Sequence, residues 1–65
     1  MQHNLPKKIY KQILTSQKNE ITEHYIYKKL AKKVKNHDNS LKLTAISDDE
    51  LRHYKFWESI THRKI

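Results

Sequence analysis

The chain has no cysteine, no glycine and a single proline among its 65 residues. Each absence removes a class of solution. Without cysteine there are no disulfides to staple a small fold, and no thiolate site for zinc or an iron–sulfur cluster. Without glycine, and with Pro6 alone, the turn chemistry of β-rich folds is missing. Long apolar runs are missing too, so no segment reads as a membrane span, and the N-terminus lacks the hydrophobic core of a signal peptide. Arginine is scarce, with only Arg52 and Arg63. Base-reading modules lean on arginine, which argues against nucleic acid as a partner. These absences leave an all-helical domain, expected to be soluble and cytoplasmic.

What is abundant is lysine. The 14 Lys and Arg residues face 7 Asp and Glu, for a net charge of +7. The excess reads as the coat of an exposed helix face with a weak pull on anions. A chain this short buries only about 60% of its unfolded surface, so a lone domain is marginal. With disulfides excluded, the remedies left are a metal held by histidine and carboxylate, or self-association.

Two helices are legible. Asn4-Leu5-Pro6 marks a helix start, and no breaker follows until about Lys35. A seam with alternating spacings of three and four runs through Tyr10, Ile13, Gln17, Glu20, His24, Tyr27, Ala31 and Val34. The polar run Asn36-His37-Asp38-Asn39-Ser40 reads as a short loop, so the next helix should return antiparallel, capped by Asn39 or Ser40. A second seam runs through Leu43, Ile46, Glu50, His53, Trp57 and Ile60. The sequence therefore predicts one domain over residues 1–65, with a helix at about 6–35, a loop at about 36–40 and a helix at about 41–62. Two variants stay open. Residues 6–14 could form a separate short helix, and Ser47-Asp48-Asp49-Glu50 has the form of a capping box that would start the second helix later.

Carboxylates interrupt both seams. Glu20 sits in the middle of the first, Glu50 and His53 in the middle of the second. An unpaired carboxylate in an apolar seam costs several kcal/mol, and a bound cation offsets that cost by turning it into a ligand. Residues three apart share a helix face, so Glu50 and His53 can reach one ion together. Oxygen and imidazole donors without sulfur favour iron or manganese, with zinc possible. One hairpin supplies few ligands for a dinuclear site, whereas two supply four Glu and two His. That is the ligand set of ferritin-like bundles, where a Glu-x-x-His pair comes from each of two helices and a Glu from each of the others. A homodimer, or a higher even oligomer, would complete the site on its two-fold axis and cover the apolar stripe of each hairpin. Glu23, three residues after Glu20, either adds an oxygen ligand or pairs with nearby lysines. His24 is either an outer donor to the site or a satisfied buried histidine.

The segment QKNEITEHYIYKKLAKK, with DELRHYKFW downstream, resembles the ferritin-like diiron domains of the rubrerythrin superfamily. The likeness covers about residues 10–60. It is similar to the domain fused to vacuolar-iron-transporter-type proteins, and in its two-helix form to encapsulated ferritin. It rests on Glu20, Tyr27, Glu50 and His53. It implies that Glu20 is a terminal ligand, Glu50 a bridging ligand, His53 a nitrogen ligand and Tyr27 a hydrogen-bond partner behind them. It also implies two iron ions per dimer and ferroxidase or peroxide-reducing chemistry with O₂ or peroxide as oxidant. The chain departs from most of that superfamily in carrying half a bundle and no rubredoxin-like cysteines. The fold class expected is thus an all-α antiparallel hairpin that dimerises into a four-helix bundle. The alternative is a small basic helical hairpin that binds nucleic acid or a protein partner without metal. A third reading is a dimerisation hairpin whose polar seam residues only set register.

Overall fold

The computed structural model describes residues 5–65, so Asn4 of the expected helix start lies outside the described residues. Those residues form two helices, α1 (Lys7–Lys33) and α2 (His37–Thr61), and no strand. They pack side by side as a rod of 47 × 15 × 14 Å. Neither helix is long and apolar enough to cross a membrane. Pro6 precedes α1 with φ −58° and ψ 146°, and its carbonyl accepts the first helical bond from the Tyr10 amide at 2.9 Å. No side chain caps this end, and Lys7, Lys8 and Lys11 lie at the positive pole of the helix dipole, which does not favour them. Lys32 and Lys33 at the far end are favourably placed. Both helices are continuous, so neither a separate helix over 6–14 nor a late start at Ser47 is formed.

The connection is shorter than the sequence suggested, and shifted. Only residues 34–36 link the helices, and the expected loop residues His37 to Ser40 form the first turn of α2. The cap is Asn36, not Asn39 or Ser40: its side chain accepts the Asn39 amide at 2.9 Å. The polar cluster misled because cap and first-turn residues are as polar as a loop; Asp38 is there to face the positive end of the helix. Ser40 has another task. Its hydroxyl donates to the Ala31 carbonyl at 2.7 Å, satisfying an acceptor that the end of α1 leaves open.

The helices run antiparallel in one register, Ala31 beside Ser40, His24 beside Ser47 and Tyr10 beside Thr61. The seven-residue row Tyr10, Gln17, His24 and Ala31 is thus the inner row of α1, as its seam predicted; Gln17, His24 and Ala31 are buried and Tyr10 half-buried. On α2 the expected seam is out of phase. The inner row is Ser40, Ser47, Tyr54 and Thr61, with Ser47, Tyr54 and Thr61 buried. Leu43, Glu50 and Trp57 lie half-buried beside it, while Ile46 and His53 are exposed. Small Ala31, Ser40 and Ser47 let the backbones approach, and hydrogen bonds hold them. The His24 Nδ1–H donates to the Ser47 carbonyl at 2.8 Å, and the Ser47 hydroxyl donates to the His24 carbonyl at 2.9 Å. Near the open end, the Thr61 hydroxyl donates to Gln17 Oε1 at 2.7 Å and Gln17 Nε2 donates to the Arg63 carbonyl. His62 turns the chain back, in the left-handed region at φ 58° and ψ 27°. The tail then returns along α2, where the Ile65 amide donates to the Tyr54 hydroxyl at 3.1 Å.

Candidate metal centre

The offset of α2 decides where the carboxylates lie. Glu50 and His53 belong to the two rows on one side of the inner row, about 60° and 120° round the helix. Glu20 and Glu23 stand on the matching side of α1. The cluster therefore opens on one flank of the hairpin and is not enclosed between its helices. Glu20 and Glu50 are mostly covered, at 21% and 16% side-chain exposure, but His53 is 59% exposed. His53, expected to look inward from its seam, is exposed because the inner row of α2 runs through Ser47 and Tyr54 instead.

The geometry of the three residues is close. One oxygen from Glu20, one from Glu50 and a ring nitrogen of His53 all lie within 4.8 Å of one another. His53 Nδ1 is 2.9 Å from Glu20 Oε2 and 3.3 Å from Glu50 Oε1, and it is hydrogen-bonded to Glu50. Ligand atoms about 2.1 Å from a shared ion stand roughly 3–4 Å apart. The donor set is thus nearly gathered, and small rotations of flexible side chains would bring it around one ion. The donors are carboxylate oxygen and imidazole nitrogen, which suits iron, manganese or zinc. The residue types suit a single divalent ion held by Glu20, Glu50 and His53 of one chain.

Glu23 joins this cluster from one turn further along α1. A hydrogen bond to Glu50, then repulsion from the Glu50 charge, then partial burial hold its carboxyl above its ordinary value. Two carboxylates at this spacing favour a shared proton or a shared cation. His24 does not face the cluster. It is buried in the inner row, with Nδ1 engaged by Ser47. Tyr27 lies half-buried on the same row as Glu20, and its hydroxyl makes no hydrogen bond among the described residues. Asp49 is on the surface, paired with Arg52.

Around the cluster the flank is apolar. Ile9, Ile13 and Leu30 on α1 and Leu43, Ile46, Trp57 and Ile60 on α2 share its side of the rod. Ile9, Leu30 and Ile46 are each about two-fifths exposed, at 41%, 41% and 39%. The sequence showed these residues but not their common side, which depends on the register of the two helices. The residues that sequence reasoning missed are Ser47 and Thr61, and the signal for them was their seven-residue spacing from Ser40 and Tyr54. No family model, curated protein or solved structure matches this chain.

Proposed function

We propose that two copies of the chain pair through the open flank, giving a four-helix bundle that holds two iron ions in a dinuclear site. Each copy contributes Glu20, Glu50 and His53. The observation that carries the reading is the convergence of these three ligand atoms within 4.8 Å on a partly exposed apolar flank. The resemblance of the Glu20, Tyr27, Glu50 and His53 pattern to rubrerythrin-type domains supports the choice of iron and of ferroxidase or peroxide-reducing activity. When bound, a ferrous pair supplies the electrons that reduce O₂ or peroxide. The chain's own residues do the rest. Glu20 and Glu50 would supply the negative charge that compensates the ions, and His53 would bind as neutral imidazole through its unprotonated ring nitrogen. Tyr27 and the apolar rim limit the access of water once the flank is covered.

Metal analysis combined with native mass, with and without chelator, tests the reading. The expected result is two ions per dimer, with Glu50→Ala retaining neither. Full iron occupancy in Glu50→Ala would sink it, as would a metal-free dimer of unchanged mass that takes up no added Fe(II). Oxygen-dependent consumption of Fe(II) by the parent protein, lost in Glu20→Ala, is the matching activity result.

A further inference from the structure

The positive charge of α1 is concentrated on the side away from the carboxylate cluster. Lys11, Lys18, Tyr25 and Lys32 each follow a residue of the inner row, so they form a row of their own, and all four are exposed. One residue is about 100° of helix, and Glu20 and Glu23 stand off the inner row in the opposite sense. The stripe extends about 30 Å along the rod. At the hairpin turn it meets an open recess of about 530 Å³ whose lining includes Lys28, Lys32 and Lys35. Among the described residues no lysine forms an ion pair; the pairs present join Arg52 to Asp49 and His53 to Glu20 and Glu50. On the same side α2 presents Asp48, Lys55 and the half-buried Glu58, and the tail sets Arg63 beside Lys18; these four cancel in charge, so the excess there is carried by α1. At seven residues or more apart these lysines repel one another only weakly, and each stays free for an outside partner.

We infer that this stripe is a second functional surface, which binds the phosphate backbone of a nucleic-acid duplex without reading its sequence. A straight row of ammonium groups matches a linear array of phosphates, and lysine makes such contacts as a point charge. The shortage of arginine, which speaks against base reading, does not speak against this mode. A membrane binder sets a broad apolar face between its basic residues, whereas this side carries only separate apolar side chains, Tyr25 in the row, Leu41 on α2 and Ile65 near Lys18. A dimer closed through the Glu20 flank would leave the stripe facing outward, so one chain could serve both surfaces.

The test is fluorescence anisotropy with two 20-bp DNA duplexes of unrelated sequence, in EDTA, from about 50 to about 200 mM salt. Equal affinity for both duplexes, falling steeply with salt, is expected. In the triple variant Lys11→Gln, Lys18→Gln, Lys32→Gln the slope of log K against log salt should shrink by roughly 0.9 for each lysine removed. Its helicity by circular dichroism should match the parent, because all three positions are exposed. Glu20→Gln with Glu50→Gln should bind DNA as the parent does, which separates this surface from the metal site. No binding at the lower salt, or a triple variant with unchanged slope, overturns the inference. So does tighter binding to phosphatidylserine vesicles than to DNA at equal anionic charge.

Discussion

The inner rows of the hairpin and its open flank both carry polar groups, and they handle them in opposite ways. In the inner rows the polar groups answer one another: His24 with Ser47, Gln17 with Thr61, Ser40 with the Ala31 carbonyl. No buried side-chain nitrogen or oxygen among the described residues lacks a partner. On the flank, Glu20, Glu23 and Glu50 crowd together with one partly exposed histidine to share. Satisfied polar groups with small neighbours make a structural contact. Three carboxylates sharing one histidine make a demand for positive charge, which a lone hairpin meets only in part. The inner rows hold the fold, while the flank keeps carboxylate charge that one histidine balances only in part.

The largest expected effect comes from breaking the inner rows. Ser47→Leu would remove the hydroxyl that donates to the His24 carbonyl and force the backbones apart, at a cost of about 3 kcal/mol, enough to unfold so small a domain. The same kind of change on the flank should act in the other direction. Glu50→Leu in metal-free protein should leave the melting temperature unchanged or raise it, since it removes a crowded carboxylate. Thermal melts of the two variants, each against the parent, check the pair; a large loss from Glu50→Leu would mean the flank is structural too.

Metal should then tie the flank to stability. With ferrous or manganous ion at about 100 times its dissociation constant, the folded state gains about 2.7 kcal/mol, and chelator should remove the gain. The same titration on Glu50→Leu should show none. A smaller effect is expected at His62, whose left-handed backbone carries a Cβ. His62→Gly relieves about 1 kcal/mol of that strain, visible as a rise in urea midpoint with unchanged slope.

The smallest effect is a pH dependence at Glu23. Its carboxyl is held above the ordinary value of 4.5, so the folded chain keeps a proton that the unfolded chain has already released. Stability is therefore lost as pH rises through the window between 4.5 and the higher folded value. Glu23→Gln should melt above the parent beyond that window and level with it below. Melting curves from about pH 4 to about pH 7 read the difference, and a constant gap across that range would remove Glu50 as its cause.

Composition and spacing made two long helices legible, because the absence of glycine and the lone Pro6 leave the chain few other options. The inner row of α1 was legible for the same reason, as were Glu20, Glu50 and His53 as residues out of keeping with their seams. The phase of α2 was not. Its inner row is Ser40, Ser47, Tyr54 and Thr61, and a search for apolar periodicity passes over three hydroxyl residues in favour of Leu43, Ile46, Trp57 and Ile60. The boundary at the turn was missed through a similar confusion, since Asp38, Asn39 and Ser40 look like a loop and are the start of a helix.

By itself, then, the sequence determined helix, hairpin and the chemical character of each row, because those follow from local propensity and from periods of three and four along one chain. Only the tertiary structure decided which row of α2 faces α1. That choice depends on hydrogen bonds such as His24 to Ser47, made between residues far apart in sequence, and on how closely small side chains let two backbones approach. It turned an expected inward seam into an open flank, where Glu20 and Glu50 are mostly covered and His53 is exposed.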